Sequence, residues 1–526
     1  MDPLPVAAGK GKRSWFRWCL RWLLRGTLGF GVLIVLFYLE EDWRGANAWS
    51  KAEAELKAQG ISLDPQTYIP PPVPDAENFG AMPFFRTEKV DGYLRMAISK
   101  DLKAVNSHLP YTKETGAEPG SLPYLGNWLK GESPDLPAVQ ARLEAFCRQQ
   151  MPGTDIPPEA KLADIFGMVC PVLADMRAAN ATHPQCRFGV DYAIQPSWDI
   201  PLGPITDQIQ VAKILSYEER LALLGGQPDL ALDDLKVAWK INAGLAQEPF
   251  LVSGLVSLGV VAIHLGAVNE GLAKHAWNDQ QLAALDDDLG KMDCLSENQR
   301  AVRGDTVMMQ IPAMDYTRTH RRVALYGILI GGIFPGDQIS WNDWLGVGLC
   351  WLIPSGWIDT FKADSARFNL LEMPKMVDPA EHRVYPDREG AAFAAMDKAG
   401  SSETWRNFVS PLVRPTFNSV KKYAYEQVQV DEARISCRLE RYRLAQGTYP
   451  SSLAALVPAY GAELPHDVMN GEPYRYKLNG DGTYLLYSVG WDQKDGGGQL
   501  GSKSPYHTSD NLDWIWTNYP DQRKAK

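Results

Sequence analysis

The segment Thr483–Gly498 reads TYLLYSVGWDQKDGGG, an alternating strand pattern that runs into glycines carrying Asp492 and Asp495. Aspartate and glycine in that order admit three chemistries. A hard cation takes six to eight oxygen ligands, and an Asp/Gly loop can turn several of them inward. A phosphate could lie on the backbone N–H groups, but such cradles usually open a helix whose N-terminus completes them. No helical pattern clearly follows Gly498. The third possibility is a plain turn with solvated aspartates. The spacing does not meet the EF-hand template.

Other chemistry is sparse. No HExxH, Walker loop or GxSxG occurs. His264 and His275 share a helical face but sit about three turns apart, too far to hold one metal. They read as single packed or surface histidines. The acidic groups LDDL (Leu232–Leu235) and LDDDL (Leu285–Leu289) read as solvated helical faces. Cys147, Cys170 and Cys186 form the region where a disulfide is expected, with buried free thiols as the alternative. No pair has CxxC spacing, so a structural zinc site has no support.

These residues must be held by a large, ordinary folded chain. Its 526 residues exceed a single core and call for two to four domains. The net charge of −10 sets nucleic-acid binding aside, because such proteins present a basic face. The N-terminus differs from the rest. After a basic segment (1–17), Arg17, Arg21 and Arg25 recur every four residues between Trp15, Trp18 and Trp22. That is a helix entering through a headgroup layer, with aromatics at the interface and arginines snorkelling. The apolar run 18–39 then predicts a single transmembrane helix. Basic residues precede it and Glu40, Glu41 and Asp42 follow, which puts the N-terminus in the cytoplasm and the body outside. A cleaved signal is the rival reading, with Ala46-Asn47-Ala48 as its site, but that triplet lies far behind the apolar run.

Residues 40–90 read as a short helix ended by Gly60 and a proline-rich spacer, Tyr68–Asp75. Residues 91–420 read as a mainly helical body. In it, Asp135 caps a helix with Leu136, Val139, Leu143 and Phe146 on one face. The strongest helical signal spans 208–294, where two helices flank a Gly-Gly-Gln-Pro-Asp turn and a third is apolar almost all round. The first pair looks like a tetratricopeptide-type hairpin, without a recurring period. Val323–Phe334 and Trp344–Ile353 are apolar runs too short to span a bilayer. The front of the chain resembles long bacterial envelope proteins, a resemblance that brings no activity with it.

Residues 421–526 make a small α+β unit: a helix Ala433–Ala445, a short helix that Ser451 can cap, and a hairpin of YRYKL and TYLLYSV around Asn479–Gly482. The overall expectation is a mostly α protein with a C-terminal α+β domain. In that domain Leu439, Glu440, Tyr442, Gly447, Tyr449 and Pro450 are followed by Leu453, Leu456, Val457 and Pro458. Leu464, Pro465, Asp467, Tyr474, Tyr476, Asp481, Gly482, Tyr484, Ser488, Gly490 and Asp492 continue the order into the glycine run. This order resembles the globular half of the major pseudopilin of type II secretion systems. The resemblance implies a calcium ion in the glycine loop, with the Val489 carbonyl, Asp492, Asp495, Asp510 and Asp513 as ligands. Two departures stand out: the leader and the Phe-Thr-Leu-Ile-Glu opening of a true pseudopilin are missing, and the anchor is several hundred residues away. Incorporation into a filament is therefore not expected. The expected function is a membrane-anchored extracytoplasmic scaffold, held in a bacterial inner membrane with its body in the periplasm, whose C-terminal domain binds an envelope or secretion component. The alternative is an envelope hydrolase with catalytic carboxylates in the helical body, since such pairs need no local signature.

Overall fold

The computed structural model describes residues 11–90, 93–96, 100–118, 120–194, 197–320, 353–392, 394, 410–498 and 512–516. The apolar run Val323–Phe334 and most of Trp344–Ile353 lie outside them. The chain is mostly helical, with a small antiparallel sheet near the C-terminus. The helices are α1 (Gly11–Ala58), α2 (Lys100–Asn106), α3 (Leu136–Gln150), α4 (Leu162–Val169), α5 (Val172–Thr182), α6 (Gly203–Thr206) and α7 (Gln208–Leu224). They continue as α8 (Pro228–Leu245), α9 (Leu251–Ala273), α10 (Asp279–Leu289), α11 (Cys294–Asp305), α12 (Ile311–Thr319), α13 (Ser355–Arg367) and α14 (Ser410–Gln446).

Helix α1 is unbroken through 48 residues, about 72 Å at 1.5 Å per residue. Its apolar segment is bare: Trp15, Leu28, Leu33 and Leu39 are all more than half exposed. It is long and apolar enough to span a membrane. The expected separate helix before Gly60 is instead the last part of α1, because nothing between Glu40 and Ala58 breaks the pattern; Gly60, at φ +73°, terminates it. Past Glu40 the helix packs on α13. Glu41 accepts the indole N–H of Trp357 at 2.9 Å, and Asp42 accepts the Gly356 amide at 2.8 Å. Two glycines permit the crossing: a Cβ on Gly356 would lie 1.9 Å from the Glu41 carbonyl oxygen, and one on Gly45 would lie 2.0 Å from the Gly356 carbonyl oxygen.

The expected three-helix group forms. Gly226 (φ +67°) turns α7 back, and Pro228 opens α8 where its missing N–H is no loss. Helix α9 also passes the length and hydropathy test for a span, but most of it is buried as the core helix. Asp135 caps α3 through the Ala138 amide, while Leu136 is exposed, contrary to its expected place on the buried face. At the first turn its side chain points back past the helix end. Two π-turns, Thr306–Gln310 and Phe368–Glu372, each run into a proline (Pro312, Pro374) that has no N–H for the preceding turn. One apolar core reaches from Phe79 to Trp516. Cys147, Cys170 and Cys186 are free and buried, so the expected bridge does not form.

The acidic groups correct another expectation. Asp234 of LDDL is fully buried and pairs with Arg177 at 2.5 Å, together with Glu218. Asp286 of LDDDL is buried and accepts Arg438 at 2.7 Å and Arg434 at 3.1 Å. In each group one aspartate of the run faces inward by helical rotation and meets an arginine from a distant helix, which sequence spacing does not reveal. His264 is a packed histidine, buried against Glu219 at 2.7 Å.

Helix α14 begins at Ser410, well before the expected Ala433, and its buried face packs on α9, α10 and α11. The strands are β1 (Thr87–Val90), β2 (Tyr93–Met96), β3 (Val377–Asp378), β4 (Arg383–Val384), β5 (Arg475–Leu478), β6 (Tyr484–Ser488) and β7 (Trp514–Ile515). The C-terminal sheet has the order β5-β6-β7, all antiparallel, with Arg475 opposite Tyr487 and Ser488 opposite Trp514. The short helix is a 3₁₀ turn, Leu453–Leu456, without the expected serine side-chain cap.

Candidate functional site: the glycine loop after β6

Strand β6 ends against a buried carboxylate. Asp467, 1% exposed, accepts the Ser488 hydroxyl at 2.8 Å, the Met469 amide at 3.0 Å and the Val489 amide at 3.0 Å. Burial raises its pKa, and the three donors pull the other way. Gly490 follows at φ +68°, where a Cβ would stand 2.4 Å from the Leu512 carbonyl oxygen. Only glycine lets the returning chain cross that closely.

Beyond Gly490 the loop folds back over the hairpin. Asp492 accepts the Lys494 amide at 3.1 Å in a local Asx turn. Asp495 accepts the Gly497 amide and the Tyr487 hydroxyl, both at 2.9 Å, and Arg475 at 3.2 Å. The Gly497 amide and then the Tyr487 hydroxyl hold the Asp495 carboxyl below its usual range. Burial and the same contact push the Tyr487 phenol up to about 12. Asp513, just before β7, accepts the Gly496 amide at 3.1 Å and the Gly498 amide at 2.7 Å. The glycine run is thus an anion nest filled by the chain's own carboxylate.

Of the five expected ligands, Asp495 and Asp513 meet at the glycine run, Asp492 holds its own turn, and Val489 is buried with its amide bonded to Asp467. Asp510 lies outside the described residues. As they stand, the described residues do not compose a calcium shell. N–H and O–H donors point at Asp495 and Asp513, and no group of three or more His, Cys, Asp or Glu among the described residues could hold a metal. Asp467, Arg475 and Tyr487 complete the site and were not singled out as site residues from sequence. The hairpin register could have found the last two, because the NGDG turn puts Arg475 directly across from Tyr487.

No protein-family model matches the chain, and no curated protein or solved structure is significantly similar to it.

Proposed function

We propose that this chain is a membrane-anchored extracytoplasmic scaffold or binding protein whose pseudopilin-like C-terminal unit docks an envelope or secretion component. The observation that carries this reading is the bare apolar segment of α1, continuous in one helix with a stretch that packs on the body. A rigid post of that kind suits a protein that holds its body at a fixed distance from a bilayer. Support for the N-terminus lying in the cytoplasm comes from the basic residues before the span and the acidic ones after it. Membrane flotation combined with protease treatment from each face tests this. The body should float with membranes and be cut only from the outer face; cutting from the cytoplasmic face would sink the topology.

For the docking role, deletion of the C-terminal unit is a poor test, because buried residues of α14 belong to the common core. Photo-crosslinking from exposed Val457 and Leu478 is better. The same envelope partner recovered from both positions, and lost when Leu478 becomes Asp, supports docking; no adduct from either position overturns it. Calcium belongs to the proposal through the resemblance, and only with a rearranged loop in which Asp495 and Asp513 exchange their present donors for the cation. Melting in millimolar calcium and in chelator decides. A bound ion at a hundredfold excess over its dissociation constant adds about 2.7 kcal/mol, and an unchanged melt leaves the loop as a self-filled nest.

A further inference from the structure

We propose that the cleft between the loop 123–132 and the helices α7 and α9 binds a carboxylate-bearing saccharide of one or two rings. The cleft holds about 300 Å³, at the small end of small-molecule sites. Its loop wall carries Tyr124, Asn127 and Trp128, and Tyr111 stands at the mouth, 66% exposed. Gly266 of α9 forms the floor; a Cβ there would meet nothing within 4 Å, so the missing side chain is part of the open volume.

The wall is held before any ligand arrives. Tyr217 donates its hydroxyl to the Pro123 carbonyl at 2.7 Å, and Arg220 Nη2 donates to the carbonyls of Leu125 at 3.2 Å and Gly126 at 2.9 Å. Glu132 accepts the Tyr124 hydroxyl at 3.0 Å and the Asn127 amide at 2.9 Å. Arg220 is aimed by buried Glu270, whose two oxygens take Arg220 Nε and Lys274 Nζ, each at 2.6 Å. That leaves Arg220 Nη1 with no acceptor among the described residues. Lys213 lies 5.6 Å from the Tyr111 ring centre and pairs with no carboxylate among the described residues.

The chemistry selects the ligand. The exposed Tyr111 ring and the partly exposed Tyr124 and Trp128 rings can stack against the C–H face of a sugar, and the side chains of Asn127 and Ser216, which make no bond among the described residues, match hydroxyl groups. A peptide would look for backbone partners, but Arg220 already occupies the carbonyls of Leu125 and Gly126. Arg220 in the lining, with Lys213 beside Tyr111 and Lys274 on Glu270, gives three cations against the two carboxylates Glu270 and Glu132, so the cleft favours a carboxylate on the sugar. This inference does not depend on the scaffold reading.

The test uses the full chain in lipid nanodiscs, which carry no sugar headgroup, and saturation-transfer NMR with D-glucuronic acid and N-acetylmuramic acid. D-glucose, N-acetylglucosamine and an acidic dipeptide serve as comparison probes. Both acidic sugars should give transfer and bind at least tenfold more tightly than the neutral ones. Gly266→Leu, which fills the floor and favours helix over glycine, should abolish transfer with the fold intact by circular dichroism. Lys213→Gln should remove the preference for acidic sugars. No transfer to either acidic sugar, equal binding of acidic and neutral sugars, transfer unchanged in Gly266→Leu, or binding of the dipeptide alone overturns the proposal.

Discussion

Asp467, Asp495 and Asp513 show how one residue type takes different work from its surroundings. Asp467 is the structural one, since three donors depend on it in a dry site. Asp467→Ala leaves them unpaired, and at about 1–3 kcal/mol per buried donor the loss should be at least about 3 kcal/mol. Asp467→Asn keeps one acceptor and should cost less. Asp513→Ala frees two glycine amides, whereas Asp492→Ala loses one local turn bond. The first should be the more destabilising by about 1–2 kcal/mol. Thermal unfolding followed by tryptophan fluorescence checks both comparisons, and equal melts for Asp513→Ala and Asp492→Ala would contradict the nest. The aspartates and glycines were legible in the sequence as a loop capable of chemistry. Their partners were not, because Asp513 reaches the glycines only after the chain returns to pair with β6.

At the scale of elements, the contact of α1 with α13 depends on Gly45 and Gly356. Gly356→Ala puts a methyl where the Glu41 carbonyl stands, so the helices must separate; overpacking of this kind costs about 1–3 kcal/mol. Gly31→Ala in the bare part of α1 meets nothing within 4 Å and should leave the melt unchanged. Protease cutting in the 59–78 segment should rise in Gly356→Ala and not in Gly31→Ala. The α7–α8–α9 group, the hairpin and the apolar front helix were readable because each declares itself locally, through helical or twofold periodicity and through Gly, Pro and Asn-Gly punctuation. The length of α14 was not. Its N-terminal part is rich in polar residues such as Lys421, Glu426 and Gln427, which hide a face that packs inward.

Over the whole molecule, stability should depend on pH through carboxyls shut inside the helical core. Glu297 on α11 and Glu426 on α14 are buried, and burial pushes both up to about 8, with Glu297 also raising Glu426. Each contribution is full below the unfolded value near 4.5 and is lost as pH rises through about 8. His382 acts in the same direction: burial works against its protonation, but Asp431 at 3.1 Å outweighs it and raises its pKa. Unfolding free energy should therefore fall between pH 6 and 8, by up to about 1.4 kcal/mol per pH unit for each carboxyl. Glu297→Gln with Glu426→Gln should flatten that slope. A slope unchanged in the double variant would rule these two groups out as its source.

The sequence alone determined the fold class, the apolar helix at the front, the central helical hairpin and the C-terminal sheet. All of these rest on patterns within a few turns or strands, where side-chain period and backbone preference act directly. Only the tertiary structure decided that Asp234 and Asp286 are buried ion-pair partners, that the three cysteines stay apart, and that the glycine loop cradles Asp513. Those outcomes depend on groups far apart in the chain, brought together by a common core, and no local spacing encodes such meetings.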